Sequence, residues 1–143
     1  MRTLLLALLT TLSLSAFAQD EPAVRADGEK VYKTVDEMPH FQQIEDKQQA
    51  DKAMLEYVYA NVTYPKKAVD NEVDGMTVIS FIVEKDGTMS DVQIERGVSP
   101  ELGAEAYHVV RKMQDSGVVW SPGMEDGVAV RTRFNLPIKF ALE

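Results

Sequence analysis

The chain has 143 residues, 45% of them hydrophobic and 27% charged, with no cysteine and a formal charge of −8. That balance excludes disorder along most of the length, and the missing cysteines exclude a disulfide scaffold. An acid excess without a basic run excludes a nucleic-acid or anionic-lipid surface, and the length suits one domain.

Residues 1–18 have the layout of a secretion signal. Arg2 is the sole charge, the stretch 4–14 is apolar apart from Thr10, Thr11 and Ser13, and Ala16-Phe17-Ala18 offers a small-x-small cleavage site. The uncharged run falls short of the roughly 20 apolar residues that span a bilayer. The expectation is therefore export and cleavage, with an uncleaved anchor as the alternative. Residues 19–30 are polar and acidic without periodicity, and read as a flexible linker. Extended, such a linker reaches roughly 40 Å at most. The folded domain is expected over 31–143, with its core in 47–140.

Residues 31–35 alternate weakly, as a strand would, and Met38-Pro39-His40-Phe41 reads as a turn with two apolar anchors. A helix is predicted over 48–61, where Ala50, Ala53, Met54, Tyr57 and Val58 form one stripe. Pro65 stops that run and opens a short helix over 66–71, with Ala68 and Val69 inward. After the turn at Asp74-Gly75, residues 76–84 are largely apolar on both faces, which suits a central strand. Lys85-Asp86-Gly87-Thr88 gives a hairpin signal, with the returning strand over 89–96. Ser99-Pro100-Glu101 then starts a helix carrying Leu102, Ala106, Val109 and Met113 on one side. A loop around Trp120 and Pro122 leads to the cleanest alternation, over 128–140. There Val128, Val130, Thr132, Phe134, Leu136, Ile138 and Phe140 face one way, and Ala129, Arg131, Arg133, Asn135 and Lys139 the other.

These elements predict an α+β fold, two helices packed on a three-stranded antiparallel sheet of order 2-1-3. The helical crossover makes the second and third strands parallel, and the third lies at an edge. No catalytic, cofactor or metal site is predicted. Asp70, Glu72 and Asp74 begin like a calcium loop, but Phe81 stands where a bidentate glutamate belongs. His40 and His108 are isolated, and no nucleophile elbow or phosphate-cradling glycine loop occurs. What remains is the edge. Arg131, Arg133 and Lys139 either guard it against pairing or draw an extended acidic peptide to it by strand addition.

Further residues carry a resemblance. They are Tyr64-Pro65-x-x-Ala68; Gly75 ahead of Val78, Phe81 and Val83; Lys85-Asp86-Gly87; Val92; and Arg96-Gly97-Val98. Glu105-Ala106, Trp120-x-Pro122-Gly123, Gly127-x-x-Val130 and Leu136-Pro137-Ile138-x-Phe140 complete the set. With Val35-x-x-Met38-Pro39-x-Phe41 upstream, the chain over 31–140 resembles the C-terminal domain of TonB energy transducers. One departure is Gln42-Gln43-Ile44, where that branch usually has Pro-Gly-Gly. The resemblance implies a periplasmic domain that adds the TonB box of an outer-membrane transporter as a strand beside its final strand. It implies a second contact at Tyr64 and Pro65, so the expected partner-binding residues are Tyr64, Pro65, Arg131, Arg133 and Asn135. The expected partner is an extended segment of such a transporter or of another envelope protein, with no nucleic acid and no cofactor. Two alternatives stand beside this periplasmic module. One is a short transducer anchored in the inner membrane by a retained leader, and the other a self-pairing domain that forms a homodimer through the edge.

Overall fold

A computed structural model describes residues 23–24 and 29–142. The leader and most of the segment read as a linker lie outside the described residues. Within that segment, β1 (Ala23–Val24) pairs antiparallel with β2 (Lys30–Val31) as a two-residue ribbon.

The strand expected over 31–35 is instead a strap that touches the domain at single points. Tyr32 bridges Thr132 in parallel, Glu37 bridges Met124, and His40 bridges Ser121. Val31 and Val35 are buried on either side of the first bridge, which is the source of the weak alternation, and Phe41 is buried just past the last. The strap ends in a 3-10 turn, Phe41–Gln43, where Gln42 and Gln43 take positive φ.

Asp46 caps α1 (Lys47–Asn61) by accepting from the Gln49 N–H, and Ala50, Met54 and Val58 bury one side. The short α2 (Lys66–Asp70) follows Pro65 and buries Ala68. Ser99 caps α3 (Pro100–Asp115), which buries Leu102, Gly103, Ala106, Val109, Val110 and Met113. Three strands, β3 (Gly75–Val83), β4 (Met89–Arg96) and β7 (Thr132–Phe140), make the main sheet in the order β4-β3-β7. Both pairings are antiparallel, so β4 and β7 run parallel and β7 lies at the edge, as the pattern required. The β3–β7 ladder keeps one register from Gly75 opposite Phe140 to Val83 opposite Thr132. Its helix-facing side carries Ile79, Phe81, Val83, Leu136 and Ile138, all fully buried with residues of α1 and α3. Phe41 and Trp120 close this core: Trp120 is edge-on to Phe41 at 5.3 Å and lies 5.0 Å from Phe134.

The expected continuous strand over 128–140 breaks at Arg131. The short β5 (Gly123–Glu125) and β6 (Val128–Val130) form a separate ribbon, and Val128 is exposed. Arg131 follows in register beside Glu84, on the same face as Arg133, and is enclosed there by its fork onto that carboxylate, whereas Arg133 is half-buried. Among the described residues no helix is long and apolar enough to cross a membrane.

Candidate functional site

In an antiparallel pair the N–H and C=O of a residue point to the same side, and that side alternates along the strand. Two bonds fix the parity of β7. The Arg133 N–H donates to the Tyr32 carbonyl at 2.8 Å, and the Lys139 N–H donates to the Tyr59 hydroxyl at 3.1 Å. Residues 133, 135, 137 and 139 therefore turn their backbone groups away from β3. At the start of the strand, the Tyr32 N–H also donates to the Arg131 carbonyl at 2.8 Å. The strap is thus a one-residue neighbour strand on the outer side of β7.

The other edge is blunted. β4 has register shifts against β3 after Val78 and after Ser80, and Asp91 sits at φ 51°. These bulges bend the strand and interrupt its row of donors and acceptors. They also swing two carboxylates onto the open face of the sheet. Asp91 accepts from Arg133 Nη2 at 2.5 Å, and Glu95 accepts from Ser80 Oγ at 2.7 Å. Arg133 Nη1 in turn donates to Ser80 Oγ at 3.0 Å, which ties the three strands together by side chains.

The expected binding residues separate into distinct environments. Arg131 is 4% exposed and forks onto Glu84, Nε to Oε2 at 2.6 Å and Nη2 to Oε1 at 3.0 Å. Arg133 is half-buried in the polar network just described. Asn135 is exposed at the middle of the outer edge. Arg133 and Asn135 share β7, and Arg131 lies just before its start. Tyr64 and Pro65 lie at its far end, where Tyr64 meets Phe140 edge-on at 5.5 Å and donates its hydroxyl proton to the Val73 carbonyl. Burial, and secondarily the Asp74 charge, hold the Tyr64 phenol above its ordinary pKa. Pro65 precedes the first turn of α2, its carbonyl accepting from the Val69 N–H.

Sequence reasoning missed Tyr59 and Tyr32. Tyr59 lies off the apolar stripe of α1, 47% exposed, and Leu55 one turn earlier is 41% exposed. An exposed aromatic next to a strand edge has no sequence signature, because the edge it faces lies 80 residues away in the chain.

Three carboxylates, Asp36, Glu125 and Asp126, place oxygens within 4.8 Å of one another. Local backbone bonds explain them: Asp36 N–H donates to Glu125, and Asp126 N–H to Asp36. His40 Nδ1 is engaged with the Ile44 carbonyl.

The family model described as Gram-negative bacterial TonB protein C-terminal matches residues 60–142. No curated protein matches the chain. Among solved structures, the solution structure of a Helicobacter pylori TonB C-terminal domain is similar with a TM-score of 0.53 at 15% identity. The match covers 69% of this chain and 86% of that one. The solution structure of the Pseudomonas aeruginosa TonB C-terminal domain is similar at 23% identity over 57% of this chain and 79% of that one, with a TM-score of 0.41. With more than half its length inside the family match, and with the sheet order, helix placement and Helicobacter likeness in agreement, the chain belongs to the TonB C-terminal domain family.

Proposed function

We propose that this chain is an exported, periplasmic binding module that engages an extended segment of an outer-membrane transporter, such as a TonB box, by strand addition along the outer side of β7. The observation that carries the reading is the Tyr32 bridge. Its two bonds of 2.8 Å are strand bonds, made on the outer side of β7 by another segment of the same chain. An outer side that already accepts one rung is suited to accept more.

Magnitude limits what the backbone can do. A net hydrogen bond contributes about 1 kcal/mol, so three or four rungs give roughly millimolar binding at best. Side chains of the partner must supply the rest, and Tyr64 and Pro65 are proposed as a second contact at the end of the strand.

Titration of the isotopically labelled protein with TonB-box peptides tests the reading. Amide shifts are expected to concentrate between Arg133 and Lys139 and at Tyr59. Shifts confined to β4, or no shifts at millimolar peptide, would sink it. The intact mass of the exported protein tests the leader: a chain starting at Gln19 fits the free module, and retention of residues 1–18 fits the anchored transducer instead.

A further inference from the structure

The outer side of β7 is long, but it offers few groups. Of its outward residues, Arg133 has its N–H on Tyr32, and Lys139 has its N–H on the Tyr59 hydroxyl. Pro137 has no N–H at all. Among the described residues, Asn135 therefore holds the single N–H that β7 can give to an added strand without first losing another bond. Acceptors are more plentiful, since the carbonyls of residues 133, 135, 137 and 139 point outward by the same parity.

Resting on the strand-addition reading above, we infer that the partner strand docks in one register, centred on Asn135, and that it is itself amphipathic. The register follows from the donor count and holds for either strand direction. An antiparallel neighbour places one residue opposite Asn135 and exchanges both bonds with it. A parallel neighbour takes the Asn135 N–H on one residue and gives an N–H to the Asn135 carbonyl from a residue two further along. In both cases a short segment whose span misses Asn135 meets only Pro137 or the occupied Arg133 N–H.

The partner's side-chain pattern follows from the two faces of β7. Residues directly opposite each other project to the same face. A side chain opposite Asn135 thus falls on the open face, into the shallow polar depression lined by Lys33, Gln93, Glu95, Arg133 and Asn135. Its neighbours project to the helix side. There the bond from Lys139 to Tyr59 brings the exposed side of α1 up to the strand edge, with Leu55 one turn from Tyr59. The segment that fits is short and extended, with a polar residue at the centre flanked by apolar ones. The residue that donates to the Asn135 carbonyl is not proline.

The test compares four proteins against the same TonB-box peptides by calorimetry. Asn135→Pro removes the donor at an outward position, and the native Pro137, two residues on, shows that this parity tolerates proline. It is expected to lose about tenfold or more in affinity, with an unchanged melting curve. Asn135→Ala keeps the N–H and is expected to bind within about threefold of the parent, since it loses only a side-chain contact. Pro137→Ala adds a donor and is expected to bind severalfold tighter. If Asn135→Pro binds as the parent does, or Pro137→Ala binds no more tightly, the register is overturned and strand addition elsewhere on the edge stands. If Asn135→Pro melts, Pro137→Ala alone decides. If the parent binds none of the peptides, the proposed function falls and the register with it.

Discussion

Arg131 and Arg133 are two residues apart and identical in type, yet their environments differ. Arg131 is enclosed against Glu84, with Glu29 at 3.9 Å, and Ser90 Oγ completes the Glu84 carboxylate. Removing one partner of such a pair leaves a charge in a site built to neutralise it, at a cost of about 3–5 kcal/mol. Arg131→Ala is therefore expected to lower stability by that order in urea unfolding, and a loss of less than about 1 kcal/mol would mean that the fork is a surface-type pair. Alternation placed both arginines on one face, as the register has them, but it cannot see that Glu84, at the end of β3, lies beside the first of them and encloses it. Two carboxylates, one half-buried and one exposed, contribute to the acid limb of stability. Lys67 donates to Glu101, and its own backbone N–H adds to this, holding that carboxyl below the usual range. The Thr88 hydroxyl, then the Thr88 N–H, does the same for Asp86 in the hairpin turn. Their folded pKa values are depressed, so their contribution is complete above the ordinary carboxylate pKa. It is lost as pH falls through the lowered value. Urea midpoints of an Asp86→Asn, Glu101→Gln variant are expected to fall less between neutral and acid pH than those of the parent. Parallel curves would refute this.

At the scale of elements, the hairpin and the two long helices were legible because each announces itself locally. Asp86-Gly87 demands the turn: Gly87 has φ +84°, and a Cβ there would lie 2.0 Å from the Trp120 carbonyl oxygen. The Ser99-Pro100 start of α3 is likewise written in adjacent residues. The strap was not legible, since its three bridges pair residues about 80 to 100 positions apart with no run of consecutive partners. The β4 bulges were hidden for a related reason, an extra residue being defined only against the neighbouring strand. Amide exchange reads the edge directly. Within β7 the Arg133 and Lys139 N–H groups are expected to be protected by Tyr32 and Tyr59, and the Asn135 N–H to exchange faster than either. Equal protection at all three would show that another group covers Asn135.

For the whole molecule, the family match and the folding unit have different limits. The match begins at residue 60, but the core draws Phe41, Met54 and Val58 from before that point, and Val31, Val35 and Ala50 are buried as well. Deleting a single large core side chain costs about 2–5 kcal/mol, comparable with much of a domain's total stability of roughly 5–15 kcal/mol. A chain beginning at residue 60 is accordingly expected to show no cooperative thermal transition, whereas one beginning at Glu29 retains the transition of the parent. A cooperative melt of the shorter chain would place the folding unit inside the family boundary. The sheet order could be argued from the sequence because a β-hairpin, a crossover helix and a final strand leave few topologies. The occupancy of the edge could not, since it depends on where two tyrosines arrive in space.

Trp120 is the only tryptophan, 1% exposed, and its ring meets Phe41 from the strap, Phe81 from β3 and Phe134 from β7. One indole therefore samples three separately supplied walls. Its fluorescence is a built-in optical gauge: lifting the strap opens one wall to solvent and shifts the emission to the red. Occupation of the outer edge of β7 leaves that wall in place, so strap release and ligand capture can be told apart in a single cuvette without a label.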